Sequence, residues 1–255
     1  MALHHPPQAV LIDLAGVLHT GNQPLPGAVA ALARLRRSGL PLRFLTNTTR
    51  SPSASVVAQL RRMGFDLDAG ELQTAVLATR KLVELRGLKP HYLVHPDIAA
   101  EIGASSAQPD SVVLGDAGVF FSYAALNTVF RLLMAGLPFL AMARNRYFME
   151  EDGLSLDMGA YVVGLEYSSG SQAEIIGKPA RPFFETALAE LRIAAADAVL
   201  IGDDLADDIG GGQSAGIPGI LVRTGKFRPE DEHHPTVRPD LVADDFAAAV
   251  AALGL

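Results

Sequence analysis

The chain has 255 residues, 49% hydrophobic and 19% charged, which excludes a disordered chain and sets the length prior between one domain and two. With 28 acidic against 21 basic residues the net charge is −7, which opposes a broad nucleic-acid footprint, since displacing counterions from a phosphate backbone needs a basic surface. There is no cysteine, so disulfides, thiol catalysis and cysteine-ligated zinc are excluded. An anionic substrate stays open, because one lysine or a metal ion inverts a local field.

The first eight residues carry two histidines and two prolines without the basic-then-apolar layout of a signal peptide. Ala9-Val-Leu-Ile12 is an unbroken apolar run that stops at Asp13, as expected of a strand covered on both faces of a parallel sheet. Pro26-Gly27 opens a helical pattern with Val29, Leu32 and Leu35 on one face, closed by Gly39. Leu42-Arg-Phe-Leu45 is the next strand, ending at Thr46-Asn47. A helix follows Ser51-Pro52, with Val56, Leu60 and Met63 on one face and Gly64 as its stop. This βαβα order predicts a doubly wound α/β sheet.

In the middle of the chain, Tyr92-Leu-Val94, Val112-Val-Leu114 and Phe139-Leu-Ala141 are predicted strands, and Leu126, Val129, Phe130 and Leu133 mark a helix. The most apolar stretch, 118–143, is interrupted by Asn127, Arg131 and Pro138 and reads as a helix followed by a strand rather than a membrane span. The earlier grammar then returns: a helix with Phe184, Ala187, Leu188 and Leu191, a strand Ala198-Val-Leu-Ile201 ending in Gly202-Asp203, a short helix from about Asp207, a strand Gly219-Ile-Leu-Val222 and a closing helix 247–253. Residues 228–240 form a polar, proline-containing surface loop. The expected organisation is a Rossmann-like core in two pieces, 1–74 and 174–255, with a smaller α/β domain inserted at 75–173. A soluble, cytoplasmic protein is expected.

Two of the predicted core strands run into aspartate, at Asp13 and Asp203, and a third into Thr46-Asn47. Open α/β sheets bind ligands at the carboxyl ends of their strands. Turn and capping chemistry accounts for either aspartate taken singly. Asp203, Asp204, Asp207 and Asp208, however, put four carboxylates in six residues. Two unit charges 4 Å apart repel by about 4 kcal/mol at an effective dielectric near 20. A hard divalent cation relieves that repulsion directly. Asp203 can point at the same spot as Asp13, Asp208 can orient the site, and Asp204 and Asp207 read as solvated. Lys178, before Pro179, can neutralise a phosphate or a carboxylate, although read alone it is better explained as a surface lysine at a turn. Thr46 and Asn47 offer a hydroxyl, an amide and main-chain N–H groups to a phosphoryl group.

In this order the parts resemble the four motifs of the haloacid dehalogenase superfamily: Asp13-Leu-Ala-Gly-Val17, Thr46-Asn47, Lys178-Pro179, and Gly202-Asp203-Asp204 with Asp208. The long insert is similar to the α/β cap of its class II, NagD-like branch. Asp13-Leu-Ala-Gly-Val-Leu-His19, Pro26-Gly27, Phe44-Leu-Thr-Asn-Thr48, Arg146-Tyr147, Leu165-Glu166-Tyr167 and Thr224-Gly225-Lys226 carry the closer likeness. It covers nearly the whole chain, and the motifs are specific only together. The resemblance implies a phosphohydrolase in which Asp13 is the nucleophile and passes through an aspartyl-phosphate. It implies Mg²⁺ held by Asp13, the main-chain carbonyl of Ala15 and Asp203. Thr46, Asn47 and Lys178 would hold the phosphoryl oxygens, Asp208 would orient the site and Gly16 would permit the chain reversal after the nucleophile. It further implies small phosphorylated substrates, and relatives of this kind often form a homodimer through the cap; the charge balance and the interrupted apolar stretch predict no nucleic-acid or membrane partner.

One departure is chemical. The family usually places aspartate two residues after the nucleophile, as acid for the leaving group and base for the water. This chain has Ala15, whose methyl group moves no proton. That predicts either a bias toward pyrophosphate or P–N bonds, which depend less on a protein acid, or a weak or silent phospho-ligand-binding member of the same fold. A receiver-type phosphoacceptor places its acidic pair before the acceptor aspartate and is about half this length, so the acid-rich motif comes at the wrong end here. His4-His5 and His233-His234 read as surface pairs, His91 and His95 as exposed, and Arg50 and Arg146 as solvated. Gly210-Gly-Gly212 lacks the dinucleotide-binding spacing.

Overall fold

The computed structural model describes residues 6–150 and 153–255; His4 and His5 lie outside them. The described chain separates into two units, one formed by residues up to Thr46, Ala54–Gln73 and Lys178–Leu255, the other by Asn47–Ser53 and Thr74–Gly177.

The chain enters through β1 (Ala9–Asp13), a small antiparallel hairpin of β2 (His19–Thr20) and β3 (Gln23–Pro24), α1 (Ala28–Arg37), β4 (Leu42–Thr46), α2 (Ser53–Arg62) and β5 (Leu72–Thr74). The inserted stretch contributes α3 (Ala75–Arg86), β6 (Pro90–Leu93), α4 (Ala99–Ile102), β7 (Ser111–Leu114), α5 (Tyr123–Met134), β8 (Phe139–Ala141), β9 (Tyr147–Glu150), β10 (Gly153–Leu156), α6 (Gly159–Ser169) and β11 (Glu174–Ile175). The chain closes with α7 (Arg181–Leu191), β12 (Ala198–Gly202), a π-helical turn (Leu205–Gly210), α8 (Gly211–Ser214), β13 (Gly219–Val222), β14 (Leu241–Ala243) and α9 (Phe246–Ala252).

The first unit is built on a six-stranded sheet in the order β14-β13-β12-β1-β4-β5. The pairings from β14 across to β4 are parallel, with Ile12 opposite Ile201 and Asp13 opposite Leu45. All five residues of β1 are buried, as its unbroken apolar run predicts. Val10, Ile12, Phe44, Val199 and Ile201 form one face of the sheet with Leu32 and Leu35 of α1, Val57 and Leu60 of α2, and Phe246 and Val250 of α9. Each such side chain removed from water contributes roughly 1.5–3 kcal/mol. Arg43 is a buried charge inside β4, met by the Glu190 carboxylate and the Gly70 carbonyl. Strand order reverses at β1: the chain passes to β4 and β5 on one side, and to β12, β13 and β14 on the other. In an open α/β sheet that reversal leaves a crevice at the carboxyl ends of the strands.

The second unit has its own parallel sheet, β11-β8-β7-β6, and the antiparallel β9–β10 hairpin. β11 extends this sheet through Ile175, beyond the end at 173 read from the sequence, because two residues carry no periodicity of their own. Helices α3 and α6 had no clear signal either. α3 is started by the Thr74 hydroxyl, which accepts from the Leu77 N–H at 3.0 Å. α6 contains two glycines and two adjacent valines, poor helix formers that tertiary packing overrides. Its buried Glu166 accepts from Arg144 at 2.7 Å and from the Ala173 N–H at 3.0 Å. Among the described residues no helix is long and apolar enough to cross a membrane.

Phe44 is fully buried in the core of the first unit, while Leu85 is 85% exposed. Phe44→Ala is expected to cost about 3–5 kcal/mol, and Leu85→Ala to stay within about 0.5 kcal/mol of the parent, both read from urea midpoints.

Candidate active site

Two chain-distant segments of the first unit deliver acids to the end of its sheet. Asp13 is the last residue of β1, Asp203 follows β12, and Asp208 sits in the π-helical turn beyond it. Lys178, just ahead of α7, completes the group. Its ammonium donates to Asp13 Oδ1 and, at 2.6 Å, to Asp208 Oδ1. All four side chains are buried. Gly202 makes the approach possible: a Cβ there would lie 2.4 Å from the Cβ of Asp208. The second oxygen of Asp208 accepts from the Asp204 N–H at 3.2 Å, so both of its oxygens are engaged by protein donors.

One ammonium does not balance three buried carboxylates. Burial, then the charges of Asp13 and Asp208, push the Asp203 carboxyl up to about 8. Burial pushes Asp208 up to about 6 against the pull of Lys178. Burial works against the Lys178 ammonium, yet Asp13 and Asp208 hold it well above the ordinary lysine value. Single oxygens of Asp13, Asp203 and Asp208 all lie within 4.8 Å of one another. An all-oxygen donor set with surplus negative charge fits a hard divalent cation, which takes carboxylate ligands and removes the repulsion.

Asp204 and Asp207, read from the sequence as solvated, are in fact half-buried. Asp204 Oδ1 caps the π-helical turn, accepting from Ala206 N–H at 3.0 Å and Asp207 N–H at 2.9 Å, and its Oδ2 pairs with Lys226 Nζ at 3.0 Å. Burial opposes it, but Lys226 holds Asp204 below the ordinary carboxylate value. Burial, then Asp204, raises Asp207 to about 6.

Thr46 is buried at the end of β4 in the first unit. Asn47, the next residue, belongs with the second unit, where its Nδ2 donates to Asn145 Oδ1 at 3.3 Å. Gly16 reverses the chain after Asp13 with φ +91°, and its N–H donates to the His19 carbonyl at 2.7 Å. Ala15 is exposed and pairs with His19 in an isolated bridge.

Arg50 is not a solvated arginine. It pairs with Asp116 at 2.8 Å and lies over the Phe148 ring at 4.9 Å, inside the second unit. His91 and His95 are half-buried rather than exposed; the His95 ring meets the edge of Phe120, with centroids 5.7 Å apart. Arg146 is exposed. Thr224, Gly225 and Lys226 entered the sequence reading only as part of a resemblance, yet the Lys226 N–H donates to Asp203 Oδ2 at 2.7 Å and the Thr224 hydroxyl donates to the Gly16 carbonyl at 2.5 Å. No residue type or spacing announces a main-chain donor, which is why the sequence did not assign it.

The family model for haloacid dehalogenase-like hydrolases matches residues 10–105, and that for HAD-hydrolase-like proteins matches 175–249. Phospholysine phosphohistidine inorganic pyrophosphate phosphatase of Danio rerio is 44% identical over 254 residues, covering 96% of this chain and 94% of its own. The solved 4-nitrophenylphosphatase of Thermotoga maritima superposes with a TM-score of 0.91 at 25% identity, over 98% of this chain and 100% of its own. The glycerol phosphate phosphatase Rv1692 of Mycobacterium tuberculosis, solved in complex with magnesium, gives 0.86 at 26% identity over 99% of this chain and 78% of its own.

Asp203 carries a pH prediction. Its folded value near 8 lies above the ordinary carboxylate value of 3.8, so between the two the folded state holds a proton that the unfolded state has released. The stability it contributes is complete below about pH 4 and is lost as pH rises toward 8. In EDTA, the melting temperature of Asp203→Asn is expected to exceed that of the parent by a margin that widens from pH 4 to pH 8. A margin that narrows over this range contradicts the assignment.

Proposed function

The chain belongs to the haloacid dehalogenase-like hydrolases, as one of their phosphatases, and on that footing we propose a magnesium-dependent phosphohydrolase that works through an aspartyl-phosphate on small phosphorylated compounds. The observation that carries this reading is the buried contact of Lys178 with Asp13 and Asp208 beside Asp203. It holds a carboxylate nucleophile in place and leaves surplus negative charge for a cation to meet.

Asp13, the main-chain carbonyl of Ala15 and Asp203 would hold the ion, whose charge offsets that of the phosphoryl group and of the nucleophile. Asp208, with both oxygens engaged, positions Lys178. A carboxylate oxygen of Asp13 attacks phosphorus, the bond from phosphorus to the leaving group breaks with its electron pair, and an acyl phosphate forms on Asp13. Water then hydrolyses it, releasing inorganic phosphate and restoring the carboxylate. Lys178 and Thr46, both of the first unit, would supply donors to the phosphoryl oxygens as charge develops.

Ala15 sets the substrate bias. General acid–base help is worth roughly 10²–10⁴-fold, about 3–5.5 kcal/mol of barrier, and a methyl group gives none of it. Alkoxide leaving groups suffer most. Phosphoanhydride and phosphoramidate bonds rely less on a protein acid, and the name of the Danio rerio relative contains phospholysine, phosphohistidine and inorganic pyrophosphate. The same alanine favours a second reading, a silent phospho-ligand-binding protein.

Turnover of p-nitrophenyl phosphate with Mg²⁺, falling to background in Asp13→Asn, separates the two; no turnover in the parent leaves the silent reading. Ala15 is exposed, so a longer side chain meets no packing barrier there. Ala15→Asp is expected to raise kcat on an alkyl phosphate by about 10²-fold or more, and an unchanged rate would remove this residue as the limit on the chemistry.

A further inference from the structure

The loop after β13 reaches the proposed ion site at three points that the phosphoryl chemistry does not use. The Thr224 hydroxyl donates to the Gly16 carbonyl at 2.5 Å, and the Lys226 N–H donates to Asp203 Oδ2 at 2.7 Å. Gly225 lies between them with φ +59°. A Cβ on Gly225 would fall 1.9 Å from Asp203 Oδ2 and 2.6 Å from the Gly16 Cα, and one on Gly16 would fall 2.1 Å from the same Oδ2. Two glycines therefore close on one carboxylate oxygen, and at neither position is there room for a side chain. The Lys226 ammonium extends away to Asp204 Oδ2, at 3.0 Å.

We propose that the Thr224-Gly225-Lys226 loop is a positioning element for divalent-metal binding: it binds Asp203 Oδ2 to the protein, leaves Oδ1 for the ion, and ties the turn after β1 to the turn after β12. The proposal rests on the reading of this acid group as a divalent-ion site. A carboxylate with one oxygen held by a main-chain donor keeps a single orientation. Mg²⁺ demands near-ideal octahedral geometry and tolerates little ligand wandering. The Thr224 tether acts on a second proposed ligand as well, because Gly16 is bonded directly to Ala15, whose carbonyl faces the same task. Groups that orient metal ligands typically change affinity 10–100-fold when removed.

Mn²⁺ binding to the full chain, read by the electron paramagnetic resonance of the free ion, tests this without reference to turnover. Thr224→Val is expected to weaken Mn²⁺ binding about tenfold, with a cooperative melt in EDTA near that of the parent. Thr224→Ser, which keeps the hydroxyl, restores parental affinity. Lys226→Met keeps the main-chain donor and removes a nearby positive charge, so it binds Mn²⁺ at least as tightly as the parent. Parental affinity in Thr224→Val, or a loss in Thr224→Ser or Lys226→Met equal to that in Thr224→Val, overturns the proposal. Should Thr224→Val not fold, Thr224→Ala, which also lacks the hydroxyl, carries the same expectation of about tenfold weaker Mn²⁺ binding and the same overturning result. A parent that binds Mn²⁺ while Thr224→Val matches it sinks the loop's role alone; a parent that binds no Mn²⁺ sinks the metal reading beneath it.

Discussion

The Lys178 ammonium is buried against Asp13 and Asp208, and it offsets the charge of both. Taking a single ion out of water costs several kcal/mol unless it is paired and hydrogen-bonded. The pairing therefore requires β1, the turn after β12 and the approach to α7 to arrive together. Breaking either of the two contacts of the ammonium leaves a buried carboxylate without its cation. What the lysine leaves over is as informative as what it neutralises. Asp203 shares the site with no cationic side chain in direct contact among the described residues, and its carboxyl is pushed toward the protonated form. A site with this imbalance fits a dication better than it fits a purely structural salt bridge.

The sheet explains why these groups meet. Strand order reverses at β1, so β12 and β4 flank it and their carboxyl ends come level, with Asp13, Asp203 and Thr46 at neighbouring strand ends. Close approach is then secured by missing side chains. Gly202 admits Asp208, while Gly16 and Gly225 admit the Asp203 carboxylate. The site is crowded with backbone, so orientation there comes from main-chain donors as much as from side chains.

Ala15 stands out against this order. It is exposed in a turn whose other residues from Asp13 to Leu18 are buried. An exposed position of this kind places few packing demands on its side chain. On the proposed mechanism, stability and reactivity are separable there, and a nucleophile site and a curtailed proton-transfer apparatus coexist in one chain.

The apolar runs at Ala9-Val-Leu-Ile12, Leu42-Arg-Phe-Leu45 and Ala198-Val-Leu-Ile201, and the helices closed by Gly39 and Gly64, were legible because each is long and periodic enough to declare itself. Asp13, Thr46 and Asp203 were legible as strand ends, which point one way in a parallel sheet, and the kind of chemistry came from the resemblance of the ordered motifs to the haloacid dehalogenase superfamily. α6 with its two glycines, the two-residue strand β11, the pairing of Arg50 with Asp116 and the half-burial of Asp204 were not legible, since each is decided by a neighbour far away in sequence. The amino-acid order by itself determined which groups could react and roughly where each would sit along the sheet. Only the tertiary structure decided which carboxylate oxygen each donor takes, because main-chain N–H groups such as that of Lys226 are present at nearly every position and become specific only when folding aims one of them.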